Sequence, residues 1–159
     1  MVRTGDTAPD VTAPLANGDI ERFDLSEALE EGPLVLAFFP GAFTSTCTTE
    51  MRTFQESLGD FESVGARIFG VSVDTPFSLN EFREKHELEF GFISDHAKEL
   101  IEAFGVATDF SEIGFHGVAK RSVFVIDEDG TITYSWVSED GGVEPDYDAV
   151  AQAAADAAR

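Results

Sequence analysis

The chain has 159 residues, 43% of them hydrophobic, with 15 Phe, one Cys and a formal net charge of −21. Such a length and apolar fraction predict a single domain with a filled core and exclude a disordered chain. The negative field excludes nucleic acid and anionic membrane as partners, and no run of about 18 apolar residues is present to span a bilayer. One cysteine cannot close an internal disulfide, and the first residues, Met-Val-Arg-Thr-Gly-Asp, lack a signal peptide's apolar stretch; a reducing cytoplasm is the expected location.

In chain order, residues 11–15 and 20–23 flank Asn17-Gly18-Asp19, a hairpin turn signal. Ser26 is placed to cap a short helix over 27–31, halted by Gly32-Pro33. Residues 34–39 are apolar without alternation, as in a strand buried on both faces. A Gly/Ser/Thr-rich loop follows, and then a helical pattern with Met51, Phe54, Leu58 and Phe61 on one face. Residues 67–73 form a second buried strand, and Asp74-Thr75-Pro76 opens a helix over 77–86. A short strand at 90–93 leads to Ser94-Asp95, placed to cap a helix carrying Ala97, Leu100, Ile101 and Phe104 and stopped by Gly105.

The polar stretch 107–117 reads as a surface loop, a candidate rim for a site. Strands at 122–126 and 131–137 surround Asp127-Glu-Asp-Gly130, 139–142 is loop, and 145–159 closes the chain as a helix. Strands alternating with helices, with hairpins at both ends, predict an α/β three-layer sandwich: a mixed sheet with helices on both faces. Periodicity alone does not separate a thioredoxin-like sheet from a flavodoxin-like one.

Cys47 is the chemical focus. It lies four residues before Met51, on the same face but in the first helical turn, where unpaired N–H groups and the helix dipole favour an anion. For a thiol that anion is the thiolate, the reactive form. Pro40, Thr44 and Cys47 stand as P-x-x-x-T-x-x-C, and here the sequence resembles the peroxiredoxin family of thiol peroxidases. The opening Gly-Asp-Thr-Ala-Pro-Asp-Val at 5–11, Val-Ser-Val-Asp at 71–74 and Arg-Ser-Val-Phe-Val-Ile-Asp at 121–127 also resemble it, so the likeness spans nearly the whole chain.

The resemblance implies a thioredoxin-like fold with an N-terminal extension. It also implies a peroxide substrate (hydrogen peroxide or an alkyl hydroperoxide) and an assembly of two or more copies. Cys47 would attack the O–O bond and become a sulfenic acid. Thr44, whose hydroxyl both donates and accepts, and Arg121, whose fixed charge would favour the thiolate and receive the leaving oxygen's charge, would hold the peroxide. Pro40 would fix the turn and shield the sulfur. Glu50, three residues past Cys47, would cap the turn or orient an arginine, as Arg52 could. Taken alone, each has a plainer reading: a helix cap for Thr44, a strand terminator for Pro40, a surface ion pair for Arg121.

Where one branch of the family carries a resolving cysteine, this chain has Arg52, so it resembles the one-cysteine, alkyl-hydroperoxide-reductase-E-like branch. Recycling is then expected from outside, by a small thiol, a redoxin-type protein or Cys47 of another copy. A peroxide sensor or chaperone using the same cysteine without turnover, and an inert scaffold with a buried cysteine, are the alternatives. His86, His96 and His116 are scattered, no C-x-x-C, G-x-G-x-x-G or Walker loop occurs, and no metal or other cofactor is expected.

The acidic excess is read as a solvated surface, and more narrowly as adaptation to a high-salt cytoplasm, where screening removes self-repulsion. Under the narrower reading the protein melts at a higher temperature in molar salt than in dilute buffer; equal melting in both removes it.

Overall fold

The computed structural model describes residues 2–140 and 142–158. Met1, Gly141 (in the expected 139–142 loop) and Arg159 (assigned above to the closing helix) lie outside the described residues. The chain opens with a hairpin, β1 (Thr12–Asn17) and β2 (Asp19–Asp24), then α1 (Leu25–Leu29) and β3 (Leu34–Phe38). Next come α2 (Ser45–Glu56), α3 (Leu58–Ser63), β4 (Arg67–Ser72), α4 (Pro76–Lys85), β5 (Gly91–Ser94) and α5 (Glu99–Phe104). A small hairpin, β6 (Ala107–Phe110) and β7 (Phe115–Ala119), precedes β8 (Ser122–Ile126), β9 (Ile132–Val137) and α6 (Tyr147–Ala157).

Among the described residues the main sheet has seven strands in the order β2-β1-β5-β4-β3-β8-β9. β3, β4 and β5 run parallel, while β1 and β8 pair antiparallel to β5 and β3. The apolar run of β3 sends Leu34, Leu36 and Phe38 into one core and Val35 and Ala37 into the other. The first core packs under α1 and α5 through Leu25, Leu100, Ile101 and Phe104. The second packs under α2, α3, α4 and α6 through Met51, Phe54, Phe61, Phe82 and Val150. The result is the expected mixed sheet covered on both faces, with Trp136 packed against the second core.

Local chemistry corrects several expectations. Asp24, not Ser26, caps α1: its Oδ1 accepts from Glu27 N and from the Ser26 hydroxyl. The single helix expected after Cys47 is two, because the chain turns at Ser57 between α2 and α3. Asp95 does cap α5, its carboxylate accepting from Leu100 N and Ile101 N, although the helix starts only at Glu99. The Asp146 side chain accepts from Ala149 N, which delays α6 to Tyr147.

The largest difference is at 107–117. That stretch is no loop: β6 and β7 pair as a two-stranded antiparallel ribbon around a single 3-10 turn at Ser111–Ile113. Gly114, at φ 68°, closes the turn in the left-handed region that glycine enters without strain.

Candidate active site

β3 ends at Phe38 in the middle of the sheet, and the chain leaves it through residues 39–44 into α2. The loop is tied down at several points. Ala42 N donates to Asp74 Oδ2 at 2.8 Å, and that same oxygen accepts from the Ser72 hydroxyl at 2.6 Å. Phe43, held at φ 69°, an uncommon conformation for a bulky residue, sets its ring edge-on to Phe82 with centroids 5.3 Å apart. Thr44 stands at the N-cap position but does not cap; its hydroxyl donates to Gly41 O at 3.1 Å. The first backbone bond of α2 runs from Thr48 N to Thr44 O, so the amides before it, that of Cys47 included, point out of the positive end of the helix.

Arg121 reaches the same point from the other side. The first residue of β8, Ser122, pairs with Phe38, and Ser138 N donates to Arg121 O at 2.9 Å, which fixes the backbone beside the end of β3. Its side chain then runs inward. Nη2 donates to Cys47 Sγ at 3.2 Å and Nη1 to Glu50 Oε1 at 2.7 Å. Cys47, Glu50 and Arg121 are 1%, 0% and 2% exposed.

Although covered, Sγ is not sealed in. Cys47, Thr44, Pro40 and Arg121 line a cavity of about 320 Å³. Its rim is apolar, formed by Phe110, Ile113 and Phe115 of the β6–β7 hairpin, with Asp140 as the acidic group at the edge. Larger hollows exist, about 430 Å³ beside β1 and α5 and about 500 Å³ beside α6, but neither holds a cysteine or a buried arginine. The cavity over Cys47 is the candidate active site.

Comparison with known proteins decides the family. The AhpC/TSA family profile matches residues 4–135. A putative peroxiredoxin of Mycobacterium tuberculosis is 38% identical over 131 residues, 80% of each chain, and peroxiredoxin Bcp of Escherichia coli is 32% identical over 135 residues, 84% of each. The crystal structure of peroxidoxin BcpB from Mycobacterium tuberculosis superposes with a TM-score of 0.81 at 32% identity, covering 100% of this chain and 97% of the other. The chain belongs to the AhpC/TSA family. With a single cysteine, it is a one-cysteine peroxiredoxin with the thioredoxin-like fold.

Within this peroxiredoxin the structure brings together Pro40, Thr44, Cys47, Arg121 and Glu50. It leaves Arg52 out: that guanidinium donates to His86 O at 2.8 Å and ties α2 to the end of α4. The sequence reading names 107–117 as a candidate rim, but as loop: strands of four and five residues, the second containing Gly117, carry too little alternation to register as a hairpin. Asp74 was visible only as part of a motif; its work is to hold the loop.

Counted from Cys47, Glu50, Met51 and Phe54 follow at three, four and seven residues, so Glu50 lies on the buried face of α2. Burial pushes its carboxyl from the ordinary 4.5 up to about 7, against the pull of Arg121, and Glu144 adds to the rise. For Arg121 burial opposes the charge, but Glu50 and Cys47 outweigh it and hold the guanidinium above its ordinary value. The folded chain thus holds the Glu50 proton more tightly than the unfolded chain. Glu50 favours folding below 4.5, and that contribution is lost as pH rises through about 7. Glu50→Gln removes this dependence. Denaturant unfolding across that window should show the parent losing stability relative to the variant as pH rises, by on the order of a few kcal/mol in total; a constant difference rules out the buried carboxyl.

Proposed function

We propose that this chain reduces hydroperoxides at Cys47 and that an external thiol regenerates it. The observation that carries this reading is the Arg121 Nη2–Cys47 Sγ contact of 3.2 Å on the floor of a cavity. The Thr44 hydroxyl spends its proton on Gly41 O, so its lone pairs are available to accept the peroxide O–H. The thiolate attacks the terminal oxygen; the S–O bond forms as the O–O bond breaks, and the electron pair leaves on the distal fragment. Arg121 stands where that charge develops, in a site shielded from bulk water by Pro40 and the hairpin. Glu50 fixes the guanidinium.

The sulfenic acid needs an outside reductant, since the chain has one Cys. Pairing of Cys47 with its counterpart in a second copy is disfavoured: a disulfide needs sulfurs about 2.05 Å apart, and Cys47 is 1% exposed. A small thiol entering the cavity, or a redoxin after local opening, fits better. The reducing cytoplasm suits such a recycling step. Phe43 and Phe77, 47% and 73% exposed, supply the apolar surface that association of copies would need, and sedimentation measures that state directly.

Among peroxides, the rim favours uncharged organic hydroperoxides. Phe110, Ile113 and Phe115 offer apolar contact to an alkyl or aryl group, while Asp140 and the net charge of −21 repel anions.

Cys47→Ser should abolish thiol-dependent peroxide consumption, and Arg121→Ala should slow it about 10²–10³-fold and slow alkylation of Cys47 at neutral pH. Sustained turnover of the parent with a thiol reductant separates an enzyme from a peroxide sensor; substantial turnover by Cys47→Ser overturns the assignment. A second prediction concerns the rim. Ile113→Ser should lower kcat/KM for cumene hydroperoxide by up to about tenfold and leave hydrogen peroxide unchanged; equal effects on both would detach the hairpin from substrate choice.

A further inference from the structure

Anchoring a guanidinium explains one oxygen of Glu50 and not the other. Oε1 accepts from Arg121 Nη1, but Oε2 is equally buried and has no hydrogen-bond partner. A buried carboxylate oxygen left without a donor is costly, and a protonated carboxyl is much less so. Glu144 makes ionisation harder still. It approaches from the segment before α6 and accepts from the Tyr147 hydroxyl at 2.5 Å; Tyr147 faces Glu50 from α6, and Cys47 lies one turn earlier on α2. Among the described groups that act on Glu50, Arg121 is the only cation.

Sγ and Glu50 therefore share one guanidinium, at 3.2 and 2.7 Å, in a place almost without water. One buried cation balances one anion; a second would stand uncompensated where Coulomb terms are large. We infer that Glu50 is a proton-coupled counter-ion: protonated while Cys47 is the thiolate, and ionised once the sulfur has become a sulfenic acid. The inference rests on the peroxidase reading above and goes beyond the fixing of Arg121.

The step balances. The thiolate gives its electron pair to the terminal peroxide oxygen, so sulfur is oxidised by two electrons and the peroxide is reduced by two. The departing alkoxide takes a proton from solvent water, and Glu50 returns one to solvent. Thiolate, guanidinium and carboxyl sum to zero before; sulfenic acid, guanidinium and carboxylate sum to zero after. Glu50 and Sγ hold the same guanidinium, so loss of the negative charge on sulfur leaves that cation to the carboxylate and favours release of the Glu50 proton. Reduction of the sulfenic acid by the external thiol reverses the exchange.

Infrared difference spectra of the whole protein, reduced against oxidised by one equivalent of cumene hydroperoxide just below neutral pH, read the carboxyl directly. The expected result is loss of a protonated-carboxyl C=O band on oxidation, a band missing from reduced Glu50→Gln. In weakly buffered solution the parent should take up no net proton per peroxide, and Glu50→Gln one. Oxidation to sulfenic acid, confirmed by mass, with the carboxyl spectrum unchanged overturns the inference and leaves the peroxidase reading standing. A mass that does not change overturns both. Should the variant not fold, the parent's spectrum decides alone.

Discussion

The site depends on a guanidinium being buried. Arg121 is 2% exposed, and among the described residues its guanidinium is held by Sγ and by Glu50. Removing either partner takes away part of the charge compensation that makes burial of the cation tolerable. The pairing also joins the two halves of the fold. Arg121 stands at the start of β8 and its partners lie on α2, so the charge contact clamps a helix onto the ends of the central strands.

That arrangement needs the loop between β3 and α2 to be held in place, and it is tethered at several points. Asp74 holds its backbone from the end of β4, and Phe43 accepts a strained φ to reach Phe82. Strain of this kind persists only where neighbours over-determine the conformation, and it places the Thr44 hydroxyl and the helix end over the same cavity.

Much of this could be read in the sequence where the signal was strong. The unbroken apolar run of β3 reflects burial on both faces, the turn at Gly18 a positive φ of 91°, and the spacing of Met51 and Phe54 the helical period that burial imposes on one face. Thr44, Cys47 and Arg121 stood out through motifs, although Cys47 and Arg121 are 74 positions apart and it takes the β3–β8 pairing to bring them together. Glu50 was visible as a candidate, but not that an acid would lie at 0% exposure on an apolar face, since helical periodicity counts hydrophobic residues. Residues 107–117 read as a polar loop at a candidate rim, and their pairing as the β6–β7 ribbon did not register: the alternation runs over too few positions, and the ribbon's seat beside the site, with the Phe115 ring next to Gly41, is a tertiary contact.

That ribbon belongs to a separate two-stranded sheet. Cys47, Arg121 and Thr44 are rooted in the central sheet and its helices, while the mouth of the cavity is carried by a few residues outside them. Under the proposed function, evolution can redraw the clientele of this scaffold by altering a handful of doorway side chains while the oxidation chemistry behind them is inherited intact.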